Sequence, residues 1–276
     1  MDGSLMTGSR TKTVRAIVVT CAAIAMMLIL YQWIDNRLGR TDYYTGFTLL
    51  AASIGLMTLS MRKKLIVLPL GTVAVWQQVH QYLGLFALAT FVMHAGFPVR
   101  GILEMALSVI FVLISLSGIV GWYINKTTPK KLLAAGKSVL REDIATMRRS
   151  IAQQAYHIAL SAAGKIESAT LADHYTQKLS DFFSRRRSIA YCIIPNGSSR
   201  RELLHGLEKV SRYLGPEGRS SKQTLSELVI AKDDLDYQWA MQIRLRSWVI
   251  FHVSLVWSFF ILVAYHIYLV YQFKGA

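Results

Sequence analysis

The 276-residue sequence has little charge and few cysteines, and each shortage excludes a class of protein. Only 17% of the residues are charged and 53% are hydrophobic, a balance typical of membrane proteins rather than soluble enzymes. Two cysteines, Cys21 and Cys192, are too few and too far apart for a disulfide framework or a thiolate metal site. A Gly-x-Gly-x-x-Gly motif following a strand is also missing, so the sequence does not predict a dinucleotide-binding fold of that kind.

Acidic residues are scarce, and the charge is strongly positive. The chain has 16 Asp and Glu against 31 Lys and Arg, which gives a formal net charge of +15. An excess of this size indicates contact with something anionic, and anionic lipid headgroups fit a membrane protein.

Long apolar stretches predict five membrane-spanning helices. The hydrocarbon core of a bilayer, about 30 Å thick, requires roughly 20 apolar residues per helix. Stretches of this length, numbered here as spans 1 to 5, lie at 14–33, 43–61, 73–97, 101–123 and 247–271. Because no small-residue cleavage motif follows span 1, we interpret it as a retained helix rather than a signal peptide.

Basic residues predict the orientation of the spans. They cluster before span 1, after spans 2 and 4 and before span 5, at Arg10, Lys12, Arg15, Arg62, Lys63, Lys64, Lys126, Lys130, Lys131, Arg244 and Arg246. The opposite side has Arg37, Arg40, Arg100 and Lys274. The positive-inside rule therefore predicts a multi-pass protein of a bacterial-type inner membrane, with a cytoplasmic N-terminus and an external C-terminus.

A polar segment separates spans 4 and 5. We divide the chain into spans 1 to 4 over 1–124, a basic cytoplasmic insertion over 125–246, and span 5 over 247–276, which completes the bundle. Apolar spacing predicts helices over 131–163 and 168–184, residues 188–194 resemble a short strand, and Ser199 with Glu202 has capping-box spacing for a further helix. The predicted fold class is an all-α, five-helix membrane bundle with a mostly helical insertion. Because the basic insertion is tethered to membrane helices at both ends, we do not expect it to bind nucleic acid.

Four of the seven histidines fall inside two of the five spans. His80 and His94 lie in span 3, and His252 and His266 lie in span 5. Each pair is separated by 14 positions, which returns the second residue to within roughly 40° of the first and about 21 Å further along the helix. Because both spans start at the cytoplasmic side, His80 should face His252 near the inside and His94 should face His266 near the outside.

Two facing imidazoles at each of two depths are what two bis-histidine haems need as axial ligands. Gly84, one turn after His80, would leave room for a flat macrocycle, and Ser254, Ser258 and Thr90 are available as acceptors for the second imidazole nitrogens. Arg62, Arg100 and Arg246 could bind haem propionates, although positive-inside flanks explain them equally well. Histidines that relay protons or make structural polar contacts are the alternative, whereas one zinc or copper ion cannot reach ligands about 21 Å apart.

The sequence resembles the ferric-reductase-like transmembrane superfamily and, more broadly, the bacterial di-haem b-type cytochromes. The likeness rests on Trp76-x-x-x-His80-x-x-Leu83-Gly84 with His94, and on His252 with His266. It implies two stacked b haems that carry electrons through the bilayer. The flavin and nicotinamide domain of many members is not expected here, and the long insertion departs from the family's usual short connection.

The resemblance leaves the redox partners open. We expect the electron-transfer subunit of a larger membrane oxidoreductase complex, with a quinol or quinone or a cytoplasmic-side partner at one end and an external redox protein, such as a c-type cytochrome, at the other. An iron–sulfur or flavoprotein subunit is a further expected partner. The alternatives are a ferric or oxygen reductase with a separate flavoprotein, and a haem-free membrane anchor or transporter.

Overall fold

The protein is almost entirely helical. The computed structural model describes residues 3–37, 39–64, 72–96, 101–134, 139–165 and 168–273, with side chains except at 3–12, 59–64 and 128–134. About 90% of the structure is helical, and the described ranges contain no strand. The predicted all-α class is confirmed.

The described part of the chain forms ten α-helices. They are α1 (Gly3–Asp35), α2 (Thr41–Lys64), α3 (Val73–Ala95), α4 (Ile102–Ala134), α5 (Arg141–Ala163), α6 (Ala169–His174), α7 (Ser180–Ser184), α8 (Ile189–Ile193), α9 (Ser198–Val210) and α10 (Pro216–Gln272). A π-helical segment, Tyr175–Leu179, connects α6 to α7, and a short 3₁₀ turn, Ser211–Tyr213, follows α9.

The helices form two compact units. The apolar unit consists of Met1–Trp122 and His252–Ala276, and the polar unit consists of Tyr123–Phe251. The two boundaries lie a few residues from those drawn from the sequence at 124/125 and 246/247.

Three helices are long and apolar enough to cross a membrane, judged from the described residues. They are Thr13–Asp35 within α1, Ile102–Thr127 within α4, and α10. The other predicted spans, 43–61 and 73–97, fall on helices α2 and α3. In α3, Gln77, Gln78 and the two histidines lower the hydropathy although the helix has no Asp, Glu, Lys or Arg. That α2 and α3 also cross the bilayer remains a prediction.

The apolar unit packs aromatic and small residues inside and leaves large apolar residues outside. Its core contains Leu49 and Ala52 from α2, Ala87 and Phe91 from α3, Phe111 from α4, and Phe259 from α10. Val19, Ile119 and Ile261, among many other apolar residues of α1, α4 and α10, are exposed. Exposed apolar surface on this scale is stable in lipid rather than in water.

The polar unit has a hydrophobic core of its own. Ala155 and Ala159 of α5 pack with Leu171 of α6, Leu207 of α9 and Val229 of α10. The small side chains on α5 allow the neighbouring helices to approach closely, so the segment between spans 4 and 5 is a folded module rather than a linker.

A buried ionic cluster links α5, α10 and the chain between α7 and α8. Asp236, which is 0% exposed, accepts contacts from Arg148 at 2.5 Å, Arg187 at 3.2 Å and Lys232 at 2.7 Å. Arg187 also pairs with Asp233 at 2.7 Å. We call these five residues the ionic cluster; it sets three cations against two carboxylates.

The strand predicted over 188–194 is wrong, because these residues form helix α8. The Ser188 side chain caps the helix by accepting a hydrogen bond from the Tyr191 backbone N–H at 3.3 Å. Tyr191 and its neighbour Cys192 are both buried against Ala240 of α10, whereas Ile189 is exposed. Burial of consecutive residues matches one helical face, and a strand would have buried alternate residues.

Two further sequence interpretations of the polar unit need correction. Helical spacing over 131–163 is interrupted, since Leu140 is extended and α5 begins at Arg141. The capping box at Ser199 is wrong because α9 already begins at Ser198, with Gly197 as its N-cap and no side-chain cap. The helix predicted over 168–184 agrees with α6, the π-helical segment and α7.

We expect the buried imidazole of His174 to make the polar unit less stable at mildly acidic pH. Its Nε2 is buried and, within the described residues, has no hydrogen-bond partner. Burial, and then the nearby Lys178 charge, lower the pKa of His174 below its ordinary 6.5. The folded state therefore disfavours protonation, so stability should be constant above about pH 6.5 and fall as the pH drops from there to the lowered pKa.

The free energy of unfolding can be measured in urea at several pH values between 8 and 5. Hydrogen exchange of amides in α6 and α9 would follow unfolding of this unit, after correction for the pH dependence of intrinsic exchange rates. His174→Gln should flatten it, whereas His157→Gln, at an exposed site on α5, should leave it unchanged. Equal slopes in all three proteins would contradict the role of His174.

Candidate functional site

The four span histidines lie on two helices of the apolar unit. His80 and His94 are on α3, and His252 and His266 are on α10. All four side chains are half-buried. A polar ring in an apolar bundle must be held by specific partners, which the surrounding helices supply.

His94 and His266 face each other. Their ring centroids are 6.5 Å apart and the ring planes are nearly perpendicular, at 88°. Two imidazoles bound to one metal ion from opposite sides, with the usual metal–nitrogen distance of about 2 Å, have ring centres about 6 Å apart. The pair therefore has the spacing of two axial ligands.

The position of the His94 ring is fixed by α2. The Thr45 hydroxyl, which is buried, donates to the Thr41 carbonyl oxygen at 2.9 Å, or to that of Asp42 at 3.2 Å. Its oxygen lies 3.0 Å from His94 Nδ1. Because a backbone carbonyl of α2 is within reach of the hydroxyl proton, Thr45 can accept from His94 when that ring is protonated at Nδ1.

His252 has an equivalent partner on α4. The Ser117 hydroxyl donates to the Ile114 carbonyl oxygen at 3.1 Å, and its oxygen lies 2.5 Å from His252 Nδ1. Ser117 can therefore accept from His252 in the same way when that ring is protonated at Nδ1.

His80 is held by a backbone group. Its Nδ1 lies 3.1 Å from the Leu56 carbonyl oxygen of α2, which can only accept a hydrogen bond. His80 and His252 are also close enough to interact electrostatically. The ring geometry thus places His94 opposite His266, and the facing of His80 and His252 remains a prediction.

The carbonyl partner requires an Nδ1–H on His80, and the hydroxyl partners of His94 and His252 are compatible with the same tautomer. An Nδ1–H that donates to Thr45, Ser117 or the Leu56 carbonyl places the imidazole lone pair on Nε2. An outer hydrogen bond at one nitrogen, which orients the ring and directs the other nitrogen to the metal, is the usual arrangement of metal-binding histidines. The donor set therefore fits bis-histidine ligation.

Glycines keep the space beside the rings open. A Cβ at Gly46 of α2 would be 3.0 Å from His94 Cε1, and one at Gly118 of α4 would be 4.0 Å from His252 Cε1. At Gly84 of α3 an added Cβ would meet no atom within 4 Å. That Gly84 provides space for a flat ligand remains a prediction.

An aromatic cluster lies between the two histidine levels along the helices. Phe91 stacks on Phe111 with ring centroids 4.3 Å apart, and Phe111 is 5.6 Å from Phe259. Phe259 is seven residues from His252 and seven from His266, so it lies on the same face of α10 midway between them. This packing separates the two levels with apolar side chains.

The described residues do not test the predicted propionate ligands. The Arg62 side chain and Arg100 lie outside the described residues. Arg246 is an exposed residue of α10 within the polar unit. Their role remains a prediction.

Among the described contacts, the Nδ1 partners of His80, His94 and His252 are not Thr90, Ser254 or Ser258 of the histidine helices. Thr90 donates to the Phe86 carbonyl oxygen of its own helix, and Ser258 donates to that of Ser254. The acceptors come from α2 and α4 instead. One sequence signal could have found them: a hydroxyl residue followed by glycine occurs as Thr45-Gly46 and as Ser117-Gly118.

The described residues contain no group of three or more His, Cys, Asp or Glu side chains that could hold a metal ion, and each histidine pair has only two members. Comparisons with protein families, with curated proteins and with solved structures gave no match.

Proposed function

We propose that this membrane protein binds two b-type haems between α3 and α10 and is the electron-transfer subunit of a larger oxidoreductase. His94 with His266 would hold one haem, and His80 with His252 the other. The observation that carries the proposal is the His94–His266 pair, whose ring centroids are 6.5 Å apart and whose His94 ring contacts the buried Thr45 hydroxyl.

The protein's own contribution is ligation, orientation and exclusion of water. Thr45 and Ser117 keep their histidines in the tautomer that presents Nε2, and Phe91, Phe111 and Phe259 exclude water between the two levels. Bound haem iron supplies one-electron redox chemistry, whose potential depends on the axial ligands, on burial and on nearby charge.

The membrane setting supports a path for electrons between the two faces of the bilayer and suggests classes of partner. Two sites about 21 Å apart along the helices would connect the two faces of a bilayer. The distribution of basic residues favours a cytoplasmic polar unit in a bacterial-type inner membrane. Quinol or quinone, or an iron–sulfur or flavoprotein subunit, would exchange electrons at one face, and a c-type cytochrome at the other.

Haem stoichiometry in purified variants tests the proposal. The wild type should show a reduced-minus-oxidised b-type α band and two haems per chain. His94→Ala should retain one haem and His252→Ala should retain the other, because each removes one ligand of a different pair. His157→Ala, at an exposed histidine of the polar unit, should retain both.

Two results would overturn this function. A wild-type protein without Soret absorption after expression with ample haem would make the histidines structural or proton-relaying. Retention of two haems in a folded His94→Ala, His252→Ala double variant would place the cofactors elsewhere.

A further inference from the structure

The polar unit contains a cavity that the haem proposal does not use. It has a volume of about 780 Å³, within the size range of small-molecule sites. Its walls come from α7, α8, the start of α9 and the chain segments between them, together with Lys232 of α10. All of these residues belong to the polar unit.

The lining of the cavity is predominantly cationic. Five basic side chains line it against two acidic ones, Asp181 and Glu202. The basic residues are Lys178, Arg185, Arg186, Arg187 and Lys232. A concave, positively charged wall concentrates anions more strongly than the same charges on a flat surface.

The ionic cluster supplies two of these cations and holds them rigidly. Arg187 and Lys232 both reach the cavity wall while bound to Asp236 on its buried side. Both cations also lie over the Phe182 ring, at 5.0 Å and 4.3 Å from its centroid. The cluster as a whole has one more cation than carboxylates, so its own pairing does not neutralise the wall.

Two cations on the wall remain available for a ligand. Lys178 and Arg186 are exposed, and within the described part of the chain neither has a carboxylate at salt-bridge distance. Arg185, in contrast, pairs with Asp181 at 2.6 Å.

The start of α9 adds oriented backbone donors to the same cavity. Ser198 and Ser199 line it, and they are the first two residues of this 13-residue helix. The first turn contains no acidic residue, and its N-cap makes no side-chain hydrogen bond. The first N–H groups of a helix have no carbonyl partner within the helix and carry partial positive charge, which favours an anion.

We propose that this cavity binds a phosphate group, carried either by a soluble phosphate ester or by the headgroup of an anionic lipid. Guanidinium and ammonium groups, serine hydroxyls and helix N–H groups together form the donor set that phosphate oxygens require. Phe182, Tyr191 and Leu203 provide an apolar wall for the organic part of the ligand.

The test uses the full chain in nanodiscs and measures hydrogen-exchange protection over residues 178–203. One arm uses phosphatidylcholine discs with added ATP as the soluble probe, and the other uses phosphatidylglycerol discs with no added phosphate. Protection in the first arm alone identifies a soluble ester, and protection in the second alone identifies a headgroup. Either result, or both, supports phosphate binding if the variants below discriminate.

A charge-matched pair of variants makes the result specific. The double variant Lys178→Gln, Arg186→Gln should raise the probe concentration needed for half-maximal protection by at least about tenfold, because charge-assisted contacts are lost. Arg141→Gln with Arg149→Gln removes the same charge from exposed sites on α5, outside the cavity, and should change it less than about twofold.

Three outcomes would overturn the proposal. The first is no protection in either arm, and the second is equal weakening in both double variants, which would indicate general electrostatic attraction. The third concerns polyglutamate, added as a further anionic probe that has no phosphate. Protection by polyglutamate, with none from ATP or phosphatidylglycerol, would make the cavity a site for an acidic protein.

Discussion

Asp236→Asn is expected to destabilise the polar unit by about 3–5 kcal/mol, because it removes the buried carboxylate shared by three cations whose side chains are at most 15% exposed. Arg148, Arg187 and Lys232 would then have only Asp233 as a counter-charge among the members of the ionic cluster. The loss is large against the 5–15 kcal/mol that typically stabilises a domain. Pulse proteolysis of the full chain across a urea gradient measures it as a shift in the midpoint for cleavage within residues 139–240.

Asp234→Asn is the matched control for this prediction. Asp234 is close in sequence and on the same helix, but it pairs with Arg200 at 3.1 Å where both side chains are more than a third exposed. Exposed pairs contribute about 0–1 kcal/mol, so its midpoint should hardly move. If the two asparagine variants shifted the midpoint equally, the ionic cluster would not be the element that stabilises this unit.

Helix geometry explains why part of the site could be predicted from sequence. The 14-residue spacing on α3 and α10, together with the predicted shared direction of the two spans, places His94 opposite His266, because a helix has a fixed rise and rotation per residue. Helical periodicity likewise predicted the region of α6 and α7. These features are local, and each depends on residues within a few turns of one helix.

The rest depends on contacts between residues that are distant in the sequence. Asp236 meets Arg148 across 88 positions, and no periodic pattern marks such a pair. The partners of the histidines were expected on α3 and α10, yet Thr45 and Ser117 belong to α2 and α4. Which neighbouring helix faces a ring is decided by the packing of the whole unit.

The strand predicted over 188–194 is wrong for a different reason. The β-branched and aromatic residues of Ser188-Ile-Ala-Tyr-Cys-Ile-Ile194 favour a strand by composition. The Ser188 cap and the burial of Tyr191 and Cys192 against Ala240 favour a helical turn instead, and these tertiary contacts prevailed over local propensity.

The second large effect is expected from Thr45→Val, which keeps the side-chain shape and removes the acceptor of His94 Nδ1. The Nδ1–H would then be half-buried without its oxygen, and the ring would lose the contact that fixes its orientation. Removing an outer partner of this kind weakens metal binding by roughly 10- to 100-fold. This prediction depends on the proposed function, and it concerns only the haem held by His94 and His266.

The transfer of haem to an excess of a haem-scavenging apoprotein measures the effect. One of the two haems should leave Thr45→Val roughly 10- to 100-fold faster than it leaves the wild type, and the other should leave at the wild-type rate. Thr45→Ser, which restores the hydroxyl, should recover most of the retention. Thr48→Val makes the same change one turn away on α2 and should behave as the wild type, because the Thr48 hydroxyl donates to the Tyr44 carbonyl oxygen of its own helix and contacts no histidine among the described residues. Equal loss from both valine variants would show that the hydroxyl of Thr45 stabilises α2 rather than positioning His94.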